Sequence, residues 1–145
     1  MLSTMERVLF LRSVDIFSGV AGEDLAPLAM VADEARFGQG ETVVRPGTPG
    51  DDLYVIVDGE IGVIAPTGEQ IAQRGPGSVI GEMAVLSGRP RSATCVALGE
   101  VVALRILRED VLEMLAERPA LAMGVIQVLT ERLDEATRLL APHSS

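Results

Sequence analysis

The stretch Gly81-Glu82-Met83-Ala84-Val85-Leu86-Ser87-Gly88-Arg89-Pro90-Arg91-Ser92-Ala93-Thr94 holds the residue types of this chain that can do chemistry together. It reads as one helical turn beginning at Gly81-Glu82, a loop, and a strand entered through Arg91. Amides at the start of a helical turn have no intrahelical acceptor and can face an anion. Gly81 and Ala84 carry little or no side chain, so a ligand can approach the backbone closely. Arg91 supplies a planar fork suited to bidentate phosphate recognition, which lysine could not reproduce. Glu82 is an odd neighbour for an anion, unless it accepts a hydrogen bond from a ligand hydroxyl. A phosphate at one end and a hydroxyl at the other describe a nucleotide sugar-phosphate. The competing reading is an exposed Glu–Arg pair on loops, worth little.

Composition narrows the alternatives. The chain has 145 residues, 12 basic against 21 acidic side chains and a net charge of −9. Every basic residue is arginine; lysine, asparagine and tryptophan are absent. That removes a phosphate-loop lysine, a Schiff-base lysine and a kinase-type ATP lysine. One histidine (His143) and one cysteine (Cys95) build neither a usual zinc site nor an internal disulfide, so no metal and a reducing, cytoplasmic setting are expected. His143 reads as a solvated tail residue. An acidic chain is a poor nucleic-acid binder on its own, and no apolar run is long enough to span a membrane. The absence of lysine and asparagine beside abundant alanine, arginine and glycine suggests a GC-rich bacterial source.

The elements that must position these residues fall into three zones of one expected domain, 1–145. Residues 1–34 show helical spacing at Leu2, Met5, Val8 and Leu9, with a second short helix from Glu23-Asp24 carrying Leu25, Leu28 and Ala29. Residues 35–106 carry short apolar runs cut by glycine and proline, the pattern of a roll of short strands. Leu53–Val57 and Glu60–Ile64, separated by Asp58-Gly59, predict a two-residue hairpin, and Thr67-Gly68 a further turn. Residues 107–140 return to helical periodicity, with a break at Arg118-Pro119. The helix after it places Ala122, Ile126, Leu129, Leu133, Ala136 and Leu140 at four–three spacing, which suits either its own core or a homodimer seam along 119–140. Residues 141–145 form a tail.

The 81–94 segment resembles the phosphate-binding cassette of cyclic nucleotide-binding domains of the catabolite activator and protein kinase A regulatory-subunit type. The match runs through Gly81, Glu82, Met83, Ala84, Leu86, Pro90, Arg91, Ser92, Ala93 and Thr94, and upstream through Gly47, Gly50, Asp51, Leu53, Tyr54, Ile56 and Gly59. The resemblance covers almost the whole chain. It implies an α+β fold: an antiparallel, jelly-roll-like β-roll with a short phosphate-binding helix and flanking N- and C-terminal helices. It implies that Arg91 holds a cyclic phosphate, that Glu82 accepts the ribose 2′-OH, and that amides of Gly81 to Ala84 and of Ser92 complete the cage. Ser92 serves cAMP or cGMP, with cAMP favoured. The C-terminal helices are expected to act as a lid and hinge that the ligand repositions, with Leu129, Arg132 and Leu133 as candidate base contacts. No aromatic residue lies on the last helix to cap the base.

The function expected is therefore a regulatory sensor module and not an enzyme, standing alone or within a transporter, channel or signalling enzyme. A cupin-like metalloenzyme lacks its histidines. The sensor half of a transcription regulator and a degenerate roll serving as an interaction or dimerisation module are the alternatives. Cys95 is expected to be a buried small apolar residue, and Asp51-Asp52 to be turn chemistry on a solvated edge.

Overall fold

The computed structural model describes residues 2–140, so His143 and the 141–145 tail lie outside the described residues. Two helices open the chain, α1 (Thr4–Arg12) and α2 (Gly22–Val31), joined by a 3-10 turn at Asp15–Phe17. Ser3 and Glu6 cap α1 reciprocally: the Ser3 hydroxyl accepts from the Glu6 amide and the Glu6 carboxylate from the Ser3 amide, both at 3.1 Å. Eight strands follow: β1 (Asp33–Phe37), β2 (Thr42–Val44), β3 (Asp52–Asp58), β4 (Ile61–Ile64), β5 (Gln70–Arg74), β6 (Val79–Ile80), β7 (Thr94–Ala97) and β8 (Val101–Leu107). A short helix, α3 (Glu82–Ser87), interrupts them, and α4 (Arg108–Glu117) and α5 (Pro119–Leu140) close the chain. The expected helix break falls at Arg118, and α5 takes Pro119 as its first residue, where a missing amide costs no helical bond.

The strands form two antiparallel four-stranded sheets, ordered β1-β8-β3-β6 and β2-β7-β4-β5. Within the first sheet the central strands β8 and β3 are buried on both faces, which explains the uninterrupted apolar run of β3. Leu53 and Val55 of β3, with Leu104 and Ile106 of β8, pack against Leu11, Leu25, Leu28, Leu121 and other helical residues. Their neighbours Tyr54 and Ile56, with Val101 and Ala103, face Val44, Ile61, Cys95 and Ala97 of the second sheet. Cys95 is buried, as its strand position suggested.

The hairpin expected at Asp58-Gly59 does not form. β3 is flanked on both sides, by β8 and β6, and so offers β4 no edge; β4 pairs instead with β5 and β7 in the other sheet. Asp58-Gly59 is a crossover between sheets. Gly59 has φ of +93°, and a Cβ there would run into the Glu100 carbonyl, so its glycine serves a close approach between loops. The turn at Thr67-Gly68 does join a hairpin, β4 to β5.

Candidate functional site

The site begins with a buried arginine. The loop carrying Arg91, between α3 and β7, is clamped at its backbone: the Arg91 amide donates to the Thr48 carbonyl at 2.9 Å, and its carbonyl accepts from the Gly47 amide at 2.8 Å. The side chain turns inward and is only 5% exposed. Nη2 donates to Asp52 Oδ1 at 2.7 Å and to the Asp52 carbonyl oxygen at 2.5 Å. The other Asp52 oxygen accepts from Arg105 Nε at 2.6 Å and from the Tyr54 hydroxyl at 3.1 Å. Burial, then the adjacent Asp52 charge, pushes the Tyr54 phenol up, so it remains a donor to that carboxylate.

Asp52 spends one edge of the Arg91 guanidinium and leaves the other free. Arg91 Nη1 is buried with no hydrogen-bond partner among the described residues. A buried, charged N–H group left in that state is costly unless something anionic meets it. Its position is against Gly81, where an added Cβ would collide with Nη1. Gly81 adopts φ of +86° as the N-cap of α3, so both the conformation and the space there require glycine. The first-turn amides of Glu82, Met83 and Ala84 have no intrahelical acceptor, while the Val85 amide reaches back to the Gly81 carbonyl. Gly50 lets α3 sit this close to the β3 entry: a Cβ on it would come within 2.7 Å of the Ala84 carbonyl carbon. Arg108 ties α3 to α4 by donating from Nε to the Val85 carbonyl at 2.9 Å, and its amide donates to the Asp51 carbonyl at 2.7 Å.

Arg91 and the start of α3 border a cavity of about 440 Å³. Gly81, Glu82, Met83, Ala84, Arg91, Ser92 and Ala93, the residues singled out from sequence, all line it. Met83 is 64% exposed. A second, more polar cleft of about 540 Å³ adjoins it and shares Arg74, Val79 and Glu82; Asp15, Ser78 and Arg132 are among the other residues of its wall. Glu82 stands where the two meet. Burial pushes its carboxyl above the usual glutamate range, opposed by a bond to its own backbone and by the charge of Arg132. Burial likewise pushes the Cys95 thiol up.

Of the three candidate base contacts, Arg132 reaches the second cleft, where its guanidinium pairs with Asp15 and lies 3.7 Å from Glu82 Oε1. Leu129 packs against the helical core, and Leu133 is 68% exposed. Neither lines the two clefts. The inward face of α5 is Leu121, Gly124, Val125 and Val128, so Ile126, Leu133 and Leu140 of the four–three seam stay exposed.

Asp52 is the functional residue that sequence reasoning missed. Read as turn chemistry on a solvated edge, it is instead half-buried and carries the guanidinium of Arg91. A signal was present: a buried arginine needs a counter-charge, and Asp52 begins a strand whose next five residues, Leu53–Val57, are all apolar. Asp51 beside it is exposed, as expected.

Residues 34–118 match the family model described as the cyclic nucleotide-binding domain. The chain is 32% identical over 130 residues to a CRP-like cAMP-activated global transcriptional regulator of Mycobacterium tuberculosis, covering 87% of this chain and 58% of that protein. It is 31% identical over 112 residues to the cAMP-dependent protein kinase regulatory subunit of Dictyostelium discoideum, covering 72% of this chain and 32% of that one. Among solved structures, the N-terminal domain of a transcriptional regulator from Streptomyces coelicolor superposes with a TM-score of 0.77 at 30% identity, covering 92% of this chain and 98% of that one. The chain thus spans a little over half, or less, of the curated relatives named here.

Proposed function

The chain belongs to the cyclic nucleotide-binding domain family, and from that premise we propose that it binds a 3′,5′-cyclic nucleotide as a regulatory sensor module. The observation that carries this reading is the unpartnered, buried Nη1 of Arg91 beside the free amides of α3. One guanidinium edge, fixed by Asp52, and a few backbone amides suit a single negative charge, which is what a cyclic phosphate carries. Glu82, at the junction of the two clefts, accepts the ribose 2′-OH, and the base lies in the second cleft. Ser92 accommodates either purine; the similarity to a cAMP-activated regulator leans the choice to cAMP.

The chemistry of the site is recognition, not bond-making. Ligand binding favours one placement of α4 and α5, and Arg108 is the mechanical link, since it joins the end of α3 to the start of α4. Such a shift needs only that the ligand bind one placement better than the other. The exposed seam of Ile126, Leu133 and Leu140 suits pairing with a second copy along α5. The relatives carry the matched segment within longer proteins, so the module acts on further domains in the cytoplasm, as the sensor half of a larger regulator does. Among the described residues, no helix is long and apolar enough to cross a membrane.

Calorimetry with cAMP, cGMP and 5′-AMP tests the reading, on wild type and on Arg91→Ala. Cyclic nucleotides are expected to bind and 5′-AMP to bind weakly or not at all. No heat from either cyclic nucleotide would sink the proposal, and unchanged affinity in Arg91→Ala would remove the phosphate role from Arg91.

A further inference from the structure

Helix α5 brings the Arg132 guanidinium to the Glu82 end of the cassette. Arg132 Nη2 pairs with Asp15 of the 3-10 turn, while Nη1 lies 3.7 Å from Glu82 Oε1. That second separation is too long for a hydrogen bond, so Arg132 acts on Glu82 as a charge and leaves its lone pairs open to a hydroxyl donor. The helix is held in place elsewhere: Leu121 and Val125 are in the core, and a Cβ on Gly124 would meet Val20 Cγ2 at 2.7 Å. Core packing along α5, which continues to Val128 and Leu129 one turn before Arg132, thus carries Arg132 to Glu82.

Three charged groups outside α3 bear on Glu82, namely Arg132 of α5, Asp15 of the 3-10 turn and Arg74 of β5, and the Glu82 charge in turn helps to raise the buried Cys95 thiol of β7. The two arginines favour its ionised form; burial and Asp15 oppose it. An ionised carboxylate only accepts hydrogen bonds, whereas the protonated acid offers a weaker acceptor and a competing donor.

We propose that Arg132 and Asp15 are opposed positioning residues for Glu82: Arg132 holds it as the acceptor for a ligand hydroxyl, and Asp15 weakens that hold by competing for the same guanidinium. The proposal rests on the reading of Glu82 as the ribose acceptor. It makes α5 and the ligand reciprocal partners, because whatever seats Arg132 strengthens hydroxyl binding, and a bound hydroxyl strengthens the seat by the same factor.

The experiment is calorimetry with cAMP and 2′-deoxy-cAMP between pH 5 and 8, on wild type, Arg132→Gln, Arg132→Lys and Asp15→Asn. Its readout is the ratio of the two affinities and the pH at which that preference is half lost. Arg132→Gln is expected to lower the preference roughly three- to tenfold at pH 6, the scale of one charge-assisted hydrogen bond weakened, and to move the midpoint to higher pH. Arg132→Lys keeps the charge and holds the midpoint near wild type. Asp15→Asn moves it the opposite way, to lower pH. Arg132 and Asp15 variants that shift the midpoint in the same direction would overturn the proposal. So would variants that weaken both ligands equally at every pH, since that outcome makes the cluster a structural tie only. Wild type binding both ligands alike removes the Glu82 role on which the proposal stands, and wild type binding neither removes the function itself; the two failures are told apart by the wild-type titration alone.

Discussion

Replacing Asp52 by alanine strips the counter-charge from a side chain that cannot escape to water. Removing one member of a buried ion pair costs about 3–5 kcal/mol, because the remaining charge is left uncompensated. Here Asp52 is 13% exposed, and Arg91 keeps its bond to the main-chain carbonyl at position 52, so about 2–4 kcal/mol is the appropriate scale. For a chain of this size each kcal/mol moves the melting temperature by about 2–4 °C, giving a fall of roughly 5–15 °C. Arg105 offers an internal control. It touches the same carboxylate but is 42% exposed, so Arg105→Gln should cost less than about 1 kcal/mol. The assay is thermal and urea unfolding of Asp52→Ala, Arg91→Met and the double variant. The double variant should lose well less stability than the sum of the two single losses, since it leaves no orphaned buried charge. Additive losses, or an Arg105→Gln cost equal to that of Asp52→Ala, would refute the claim that Asp52 exists to hold Arg91.

Two further expectations follow from the cassette. Gly50→Ala forces a Cβ onto the backbone of Ala84; α3 must move, so cyclic nucleotide affinity should fall at least tenfold with little change in far-ultraviolet dichroism, and wild-type affinity would show that the close approach is unimportant. Glu82 titrates above the ordinary glutamate range in the folded protein because it is buried. The sign follows: the folded state holds this proton more tightly, so the stability linked to it is present at acid pH and is lost as pH rises through the folded value. Glu82→Gln should therefore unfold at a higher temperature than wild type at pH 7 and match it near pH 4, and a difference that does not vary with pH would contradict the burial account.

Much of this protein could be read along the chain because its signals are local. The helix break at Arg118-Pro119 and the turn at Thr67-Gly68 depend on residues within a few positions of one another. The spacing of Glu82 and Arg91 belongs to the same class: a short loop sets how far apart they lie. Composition also settled that no lysine can hold an anion here. What the chain could not disclose depended on which edges and charges meet after folding. The Asp58-Gly59 turn has good hairpin chemistry, yet β3 spends both edges on β6 and β8, and edge occupancy is a property of the whole sheet. Asp52 lies 39 residues before Arg91, and Arg132 lies 117 residues after Asp15; no periodicity links such positions, and only packing decides that they share a guanidinium. An acidic surface with no lysine looked hostile to phosphate as a composition. The tertiary structure reverses that locally, because it buries one arginine at the wall of a cavity, ties one of its edges to Asp52 and leaves the other without a partner against Gly81.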